Sequence, residues 1–161
     1  MVALYDEDGQ PCGSAPRSRM RAENLRHAAT AVVVRDPWGR IYVHRRTDTK
    51  DVYPSRRDFA AGGVIGAGED PHEAAVRELA EELGITDAPL VELGRGFFTD
   101  DHTTYFGFCF VAEWDGPIRW QPEEVASGEW MAVEELLAAI ESDPDDFMPD
   151  TVGLLGGWLA D

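Results

Sequence analysis

The chain has 161 residues, a formal net charge of −17 and an apolar share of 43%, enough for one domain with a real core and too short for a second. A surface this acidic excludes binding to a nucleic-acid polymer through a general phosphate footprint, and no apolar run approaches the roughly eighteen residues that a membrane helix needs. All fourteen basic residues precede position 120 and thirteen of them are arginine, whereas residues 121–161 carry eleven acidic residues and no basic one, so a phosphorylated small molecule has to be held by a metal or by a local arginine cluster.

The N-terminus, Met1-Val2-Ala3-Leu4-Tyr5, has neither the basic start nor the long apolar stretch of a signal peptide, which gives a cytoplasmic location as the default. Residues 2–13 predict a hairpin turning at Asp8-Gly9. Residues 14–26, with Arg17, Arg19, Arg21 and Arg26, predict a polar connecting arm. Ala28–Val34 and Ile41–Arg45 predict a second hairpin around the turn Asp36-Pro37-Trp38-Gly39. Residues 46–57 predict a polar loop, and Phe59–Ile65 a glycine-containing strand-like segment.

Residues 71–83 carry the strongest helix signal. Asp70 is an N-cap, Pro71 occupies the first helical position, Glu73 completes a capping-box pattern and Gly84 stops the helix. Strands follow near 90–99 and 103–114, bent at Asp100-Asp101-His102. A short strand is predicted over Gly128–Ala132, and helices over 133–142 and 150–159. The order of elements predicts an α+β layered domain around a mixed sheet. The two cysteines, Cys12 and Cys109, do not form a disulfide framework; Cys109 lies in an apolar run and reads as a buried core thiol.

The helix carries the chemistry. Glu78, Glu81 and Glu82 lie at i, i+3 and i+4, so three carboxylates share one face, while Ala75, Leu79 and Leu83 form an apolar face that packs on the sheet. Like charges at this spacing repel, and a divalent cation that prefers oxygen ligands, Mg²⁺ or Mn²⁺, turns the repulsion into a binding site. Arg77 reaches Glu81 or Glu73 at i±4 and steadies the cluster.

The stretch from Gly63 through Glu69 to Arg77-Glu78-Leu79-Ala80-Glu81-Glu82-Leu83-Gly84-Ile85 is similar to the signature of the Nudix superfamily, with every fixed position matched. The resemblance implies an α/β/α sandwich around a mixed β-sheet, here with an N-terminal β-hairpin extension (residues 1–26) on a single domain spanning 1–161. It implies hydrolysis of a diphosphate linkage by water, with Glu78, Glu81 and Glu82 as metal ligands, the Gly62 or Gly63 carbonyl as a further ligand, and Glu69 supporting the loop. A carboxylate, by preference Glu81, is implied as base, beside Glu78 and Arg77, and Glu124 or Glu123 as a later catalytic carboxylate. A small-molecule diphosphate is the implied partner, and a homodimer, through the N-terminal hairpin, follows by the same analogy.

Outside this box, His44-Arg45-Arg46, Tyr53-Pro54 and Ala61-Gly62-Gly63 resemble the isopentenyl-diphosphate isomerase branch. The isomerases carry a cysteine in a Cys-Gly-His stretch where this chain reads Ala60-Ala61-Gly62-Gly63-Val64, and they degrade the glutamate box that this chain keeps. Hydrolysis is therefore expected over isomerisation or non-catalytic nucleotide binding. Arg45, Arg46, Lys50, Arg56 and Arg57 form the best cationic cluster for phosphates, although alternation along a strand prevents all of them from converging; Arg45, Arg46, Lys50 and Arg57 are the expected substrate contacts. His27 is expected to be a structural histidine at a strand start, His72 to be exposed, and His102 to be a bend residue open to a substrate contact. Trp38, Trp114, Trp120, Trp130 and Trp158 are expected to serve mainly in packing.

Overall fold

The computed structural model describes residues 1–161. The elements run β1 (Val2–Tyr5), β2 (Pro11–Ala15), α1 (Arg17–Ala22), β3 (His27–Arg35), β4 (Ile41–Arg46), β5 (Arg57–Asp58), α2 (Pro71–Leu83), β6 (Leu90–Thr99), β7 (Thr104–Glu113), β8 (Val125–Met131), α3 (Val133–Ser142), a 3-10 turn (Pro144–Asp146) and α4 (Pro149–Ala160). The strands form one mixed sheet in which β3 pairs in parallel with β7 over its whole length, His27 opposite Tyr105 and Arg35 opposite Glu113. The other pairings are antiparallel.

Alternation along β3 divides the core between two faces. Val32 and Val34 pack with Phe110, Ala112 and the α2 residues Ala75, Leu79 and Leu83. Ala31 and Val33 face the other way, toward Val111, Leu136, Phe147, Leu155 and Leu159 under α3 and α4. Helices thus cover both faces, the expected α/β/α sandwich. No helix is long and apolar enough to cross a membrane.

Helix α2 keeps its expected bounds because its stop signals are local. The Asp70 carboxylate accepts from the His72 and Glu73 amides at 3.0 and 3.2 Å, and Gly84 closes the helix in the left-handed region at φ 68°.

Three regions depart from expectation. The arginine-rich arm is largely ordered: β2 runs on to Ala15, and α1 follows with Met20 buried beneath it. The hairpin packs on the body, where Ala3 and Tyr5 join Ala28, Ile65 and Ala74. The segment Phe59–Ile65 makes only isolated bridges, Val32 to Ala61 and Ala29 to Val64, because β3 and β4 touch only at Arg35 and Ile41 and then splay apart. The glycine-containing segment fills the opened wedge. β8 is also longer than expected, because Val125–Ser127 continue the ladder with β4.

Candidate active site

Helix α2 crosses the wedge, and its acidic face turns toward it. Glu78, Glu81, Glu82, Glu123 and Glu124 line one cleft together with Gly62, Gly63 and Lys50. The loop before β8 brings the last two glutamates there, so Glu124 does share the site with the box carboxylates. Its carboxylate is ion-paired with Lys50.

The carboxylates are held in two ways. Glu69 receives both arms of Arg77, at 2.8 and 3.0 Å, and the Gly66 amide at 3.0 Å. Arg77 also donates to Glu78 at 3.0 Å and to Glu81 at 3.3 Å; of the two partners expected for it on the helix, it takes Glu81 and not Glu73. Bonding to Arg77 holds the Glu69 carboxyl below its ordinary range.

Glu82 is the opposite case. It is 6% exposed, makes no side-chain hydrogen bond, and is pushed up to about 8 by burial and then by the neighbouring Glu78 charge. Glu78 is raised as well, chiefly by burial. Carboxylates buried side by side with incomplete neutralisation are a hard-oxygen donor set that a divalent cation would satisfy. The free side chains do not close on a single three-carboxylate point; Arg77 bridges Glu78 and Glu81, and Lys50 engages Glu124.

The glycines set the approach of loop to helix. A Cβ on Gly62 would overlap the Thr30 carbonyl oxygen, and one on Gly63 would lie 2.5 Å from the Glu78 carboxylate. The Gly63 carbonyl, expected as a metal ligand, accepts the Thr30 amide at 3.0 Å. The Gly62 carbonyl accepts no hydrogen bond and is the freer of the two.

The expected cationic cluster divides along β4. Arg46 and Lys50 line the cavity behind the glutamates. Arg45 lies on the opposite face, where it forms a two-armed pair with Asp146 at 2.8 and 3.2 Å. Arg57 joins the same Asp146 at 2.9 Å, and its guanidinium stacks 4.4 Å from the Phe147 ring centroid. Arg45 and Arg57 therefore do not meet the glutamates: alternation turns one away, and Asp146 engages both. Arg56 donates to the Phe147 carbonyl at 3.1 Å.

Their place is taken by Arg17 and Arg21 of α1, which line the inner cavity with Arg46 and Lys50 and share Asp51 at 3.3 and 3.1 Å. The only sequence signal for them was the density of arginine in the arm.

His27 opens β3, is buried, and bonds the Leu25 carbonyl through Nδ1 at 2.9 Å. Burial pushes it down to about 4, so it is neutral, and it lines the inner cavity. His72 and His102 are exposed, His102 with its ring edge-on to Tyr53. None of the five tryptophans lines the cleft or the inner cavity. Cys109 is buried in the core, and burial pushes its thiol up to about 11, which makes it inert.

Comparison with known proteins agrees with this geometry. The NUDIX domain family model matches residues 25–151. An uncharacterized Nudix hydrolase of Rhodococcus erythropolis is 43% identical over 98% of this chain and 91% of its own length. The uncharacterized Nudix hydrolase YfcD of Escherichia coli K12 is 40% identical over 98% and 86%. Among solved structures, DR0079 from Deinococcus radiodurans superposes with a TM-score of 0.75 at 26% identity, covering 88% of this chain and 89% of that one. A MutT protein from Methanosarcina mazei gives 0.65 at 20% identity over 72% and 83%, a likeness of fold alone. With the glutamate helix, the glycine wedge and these matches together, the chain belongs to the Nudix hydrolase family.

Proposed function

We propose that the protein cleaves the diphosphate linkage of a nucleoside diphosphate joined to another group, or of a related organic diphosphate, by attack of water at phosphorus, with Mg²⁺ or Mn²⁺ as cofactor. The observation that carries this reading is Glu82: a buried carboxylate beside Glu78, without a hydrogen-bond donor of its own, costs stability unless a cation completes it. Nudix hydrolases as a family use divalent ions and act on small molecules.

In this reading Glu78, Glu81 and Glu82 hold the metal, together with a carbonyl of the Gly62-Gly63 turn. Bound there, a divalent ion lowers the pKa of water and neutralises charge on the phosphate oxygens. The residues of the chain do the rest. Arg77 is a positioning residue: anchored on Glu69, it fixes where the Glu78 and Glu81 carboxylates stand. Glu81 takes the proton of the attacking water, a role that its exposure supports. Glu124 serves as a second acceptor when a phosphate oxygen draws Lys50 away from it. Arg46 and Lys50, with Arg17 and Arg21, bind the phosphate oxygens.

An isomerase reading would need a thiol where Ala60 and Ala61 stand, and both are buried methyl groups. The hydrolase reading is tested by incubating the purified chain with a panel of organic diphosphates and Mg²⁺ or Mn²⁺ and measuring released phosphate, with Glu82→Gln alongside. Turnover that needs the metal and is lost in the variant supports it. Metal binding without turnover of any compound in a panel spanning nucleotides, nucleotide sugars and prenyl diphosphates overturns it.

A further inference from the structure

Behind the glutamate cleft lies a second, narrower cavity of about 90 Å³. The two share Arg17, Lys50, Gly62, Gly63 and Val64 as walls. The inner cavity has basic residues on its exposed side and acidic ones on its buried side. Its mouth is cationic, with the arginines of α1, Arg46 and Lys50. Its floor is formed by Asp58 and Asp150, with Tyr105 and Thr151.

The floor is incompletely bonded. Asp150, on the first turn of α4, is 8% exposed. Its Oδ2 accepts the Tyr105 hydroxyl at 2.5 Å, while its Oδ1 is buried without any partner. Asp58 accepts the Ala60 amide at 3.2 Å. The nearby His27 ring has Nδ1 tied to Leu25, so the orphan oxygen has no donor within the protein. A buried acceptor left unmet is costly. An apolar group pressed against it would keep that cost, and an anion would add repulsion. A hydroxyl or an ammonium removes it.

We propose that the inner cavity receives the organic group of the diphosphate, and that Asp150 selects groups carrying a hydrogen-bond donor, a hydroxyl or an ammonium, at the end remote from the phosphates. The proposal rests on the reading that the diphosphate lies across the glutamate cleft. It assigns Asp150 as a specificity residue and Asp58 as its neighbour on the floor. No tryptophan lines this cavity, so the group is not held by stacking on an indole.

The test uses the full chain with Mg²⁺ and a series of short alkyl methylenediphosphonates, which resist hydrolysis, ended by methyl, hydroxyl or ammonium at matched chain lengths. Binding is measured by calorimetry. At one length or more, the hydroxyl- or ammonium-ended compound is expected to bind about tenfold tighter than its methyl-ended partner, the ratio that one hydrogen bond to a carboxylate supports. The two donor arms report which chemistry the floor prefers. Asp150→Leu, which offers the cavity neither a donor nor an acceptor, is expected to abolish the preference. Should that variant not fold, Tyr105→Phe frees the second oxygen of Asp150 and is expected to retain or increase it. Equal or tighter binding of the methyl-ended compounds at every length, or a donor preference that survives Asp150→Leu or is lost in Tyr105→Phe, overturns the proposal. The two readings separate cleanly. Organic diphosphates hydrolysed without donor preference leave the hydrolase standing and remove the subsite. Donor preference without hydrolysis of any diphosphate does the reverse. Failure of methylenediphosphonate itself to bind, with no organic diphosphate hydrolysed, removes both.

Discussion

Two carboxylates a short way apart on the same loop and helix, Glu69 and Glu82, are treated in opposite ways. Glu69 is saturated by a two-armed arginine and a backbone amide, and it titrates low. Glu82 is buried with neither, and it titrates high. Asp146 and Asp58 repeat the contrast elsewhere: Asp146 is held low by Arg45 and Arg57, whereas Asp58 is pushed up to about 7 by burial and then by Asp150. Satisfied charges support the frame. Under-satisfied buried ones cost stability, and in this molecule they border the cavities, Glu82 the cleft and Asp58 with Asp150 the inner one.

Breaking the under-satisfied member should have the largest effect. Glu82→Gln is expected to lower kcat by about a hundredfold or more. In metal-free buffer the same variant should melt a few degrees higher, because it removes a buried carboxyl that must take up a proton to fold. Activity kept in steady-state assays, or a lower melting temperature, would erase the distinction between the two glutamates.

At the floor the contrast becomes a pH dependence. The folded chain keeps the Asp58 proton up to about pH 7, while the unfolded chain releases it near the ordinary carboxyl value of about 4. The folded state therefore binds more protons in that window. This group's contribution to stability falls as pH rises from about 4 to about 7, then levels off. Asp58→Asn, which keeps an acceptor for the Ala60 amide, should gain on the wild type by on the order of 3 kcal/mol between pH 4 and pH 8 in urea titrations. A gap that does not change with pH would show that Asp58 ionises normally.

The supported members should give smaller and more structural effects. Glu69→Gln leaves Arg77 half-held. It should lower kcat about tenfold through misplaced Glu78 and Glu81, with a stability loss of about 1 kcal/mol because the pair is partly solvated. Full activity would mean that Arg77 does not position them. Asp146→Asn is the control: it should cost about 1 kcal/mol and leave kcat/KM within about twofold. A larger drop in kcat/KM would bring Arg45 and Arg57 back as substrate contacts.

The glutamate helix was legible because everything that makes it is local. Asp70, Pro71 and Gly84 bound it, and the i, i+3, i+4 spacing fixes which residues share a face. The cationic side of the site was half legible. Arg46 and Lys50 stood out, but strand alternation alone could not say which of Arg45 and Arg46 faces the cleft; that depended on the splay of β4 from β3. Arg17 and Arg21 were hidden because α1 is short and has no side-chain cap, so it is held by Met20 and by the pairing of β1 with β3 rather than by its own sequence. Asp58 and Asp150 were beyond reach: they lie far apart in the chain, and only the packing of α4 on the sheet brings them to one floor.

The parallel pairing of β3 with β7 has a consequence for folding. His27 and Tyr105 sit side by side in that ladder, so the inner cavity has no walls until two distant stretches of chain have met. Such contacts form slowly, because a long loop must close first. The cavity therefore cannot exist in a partly folded chain that retains only its hairpins and helices. A molecule bound in it will protect the amides of β3 and β7 against hydrogen exchange together, as one cooperative unit, while the outer strand β2 exchanges as before.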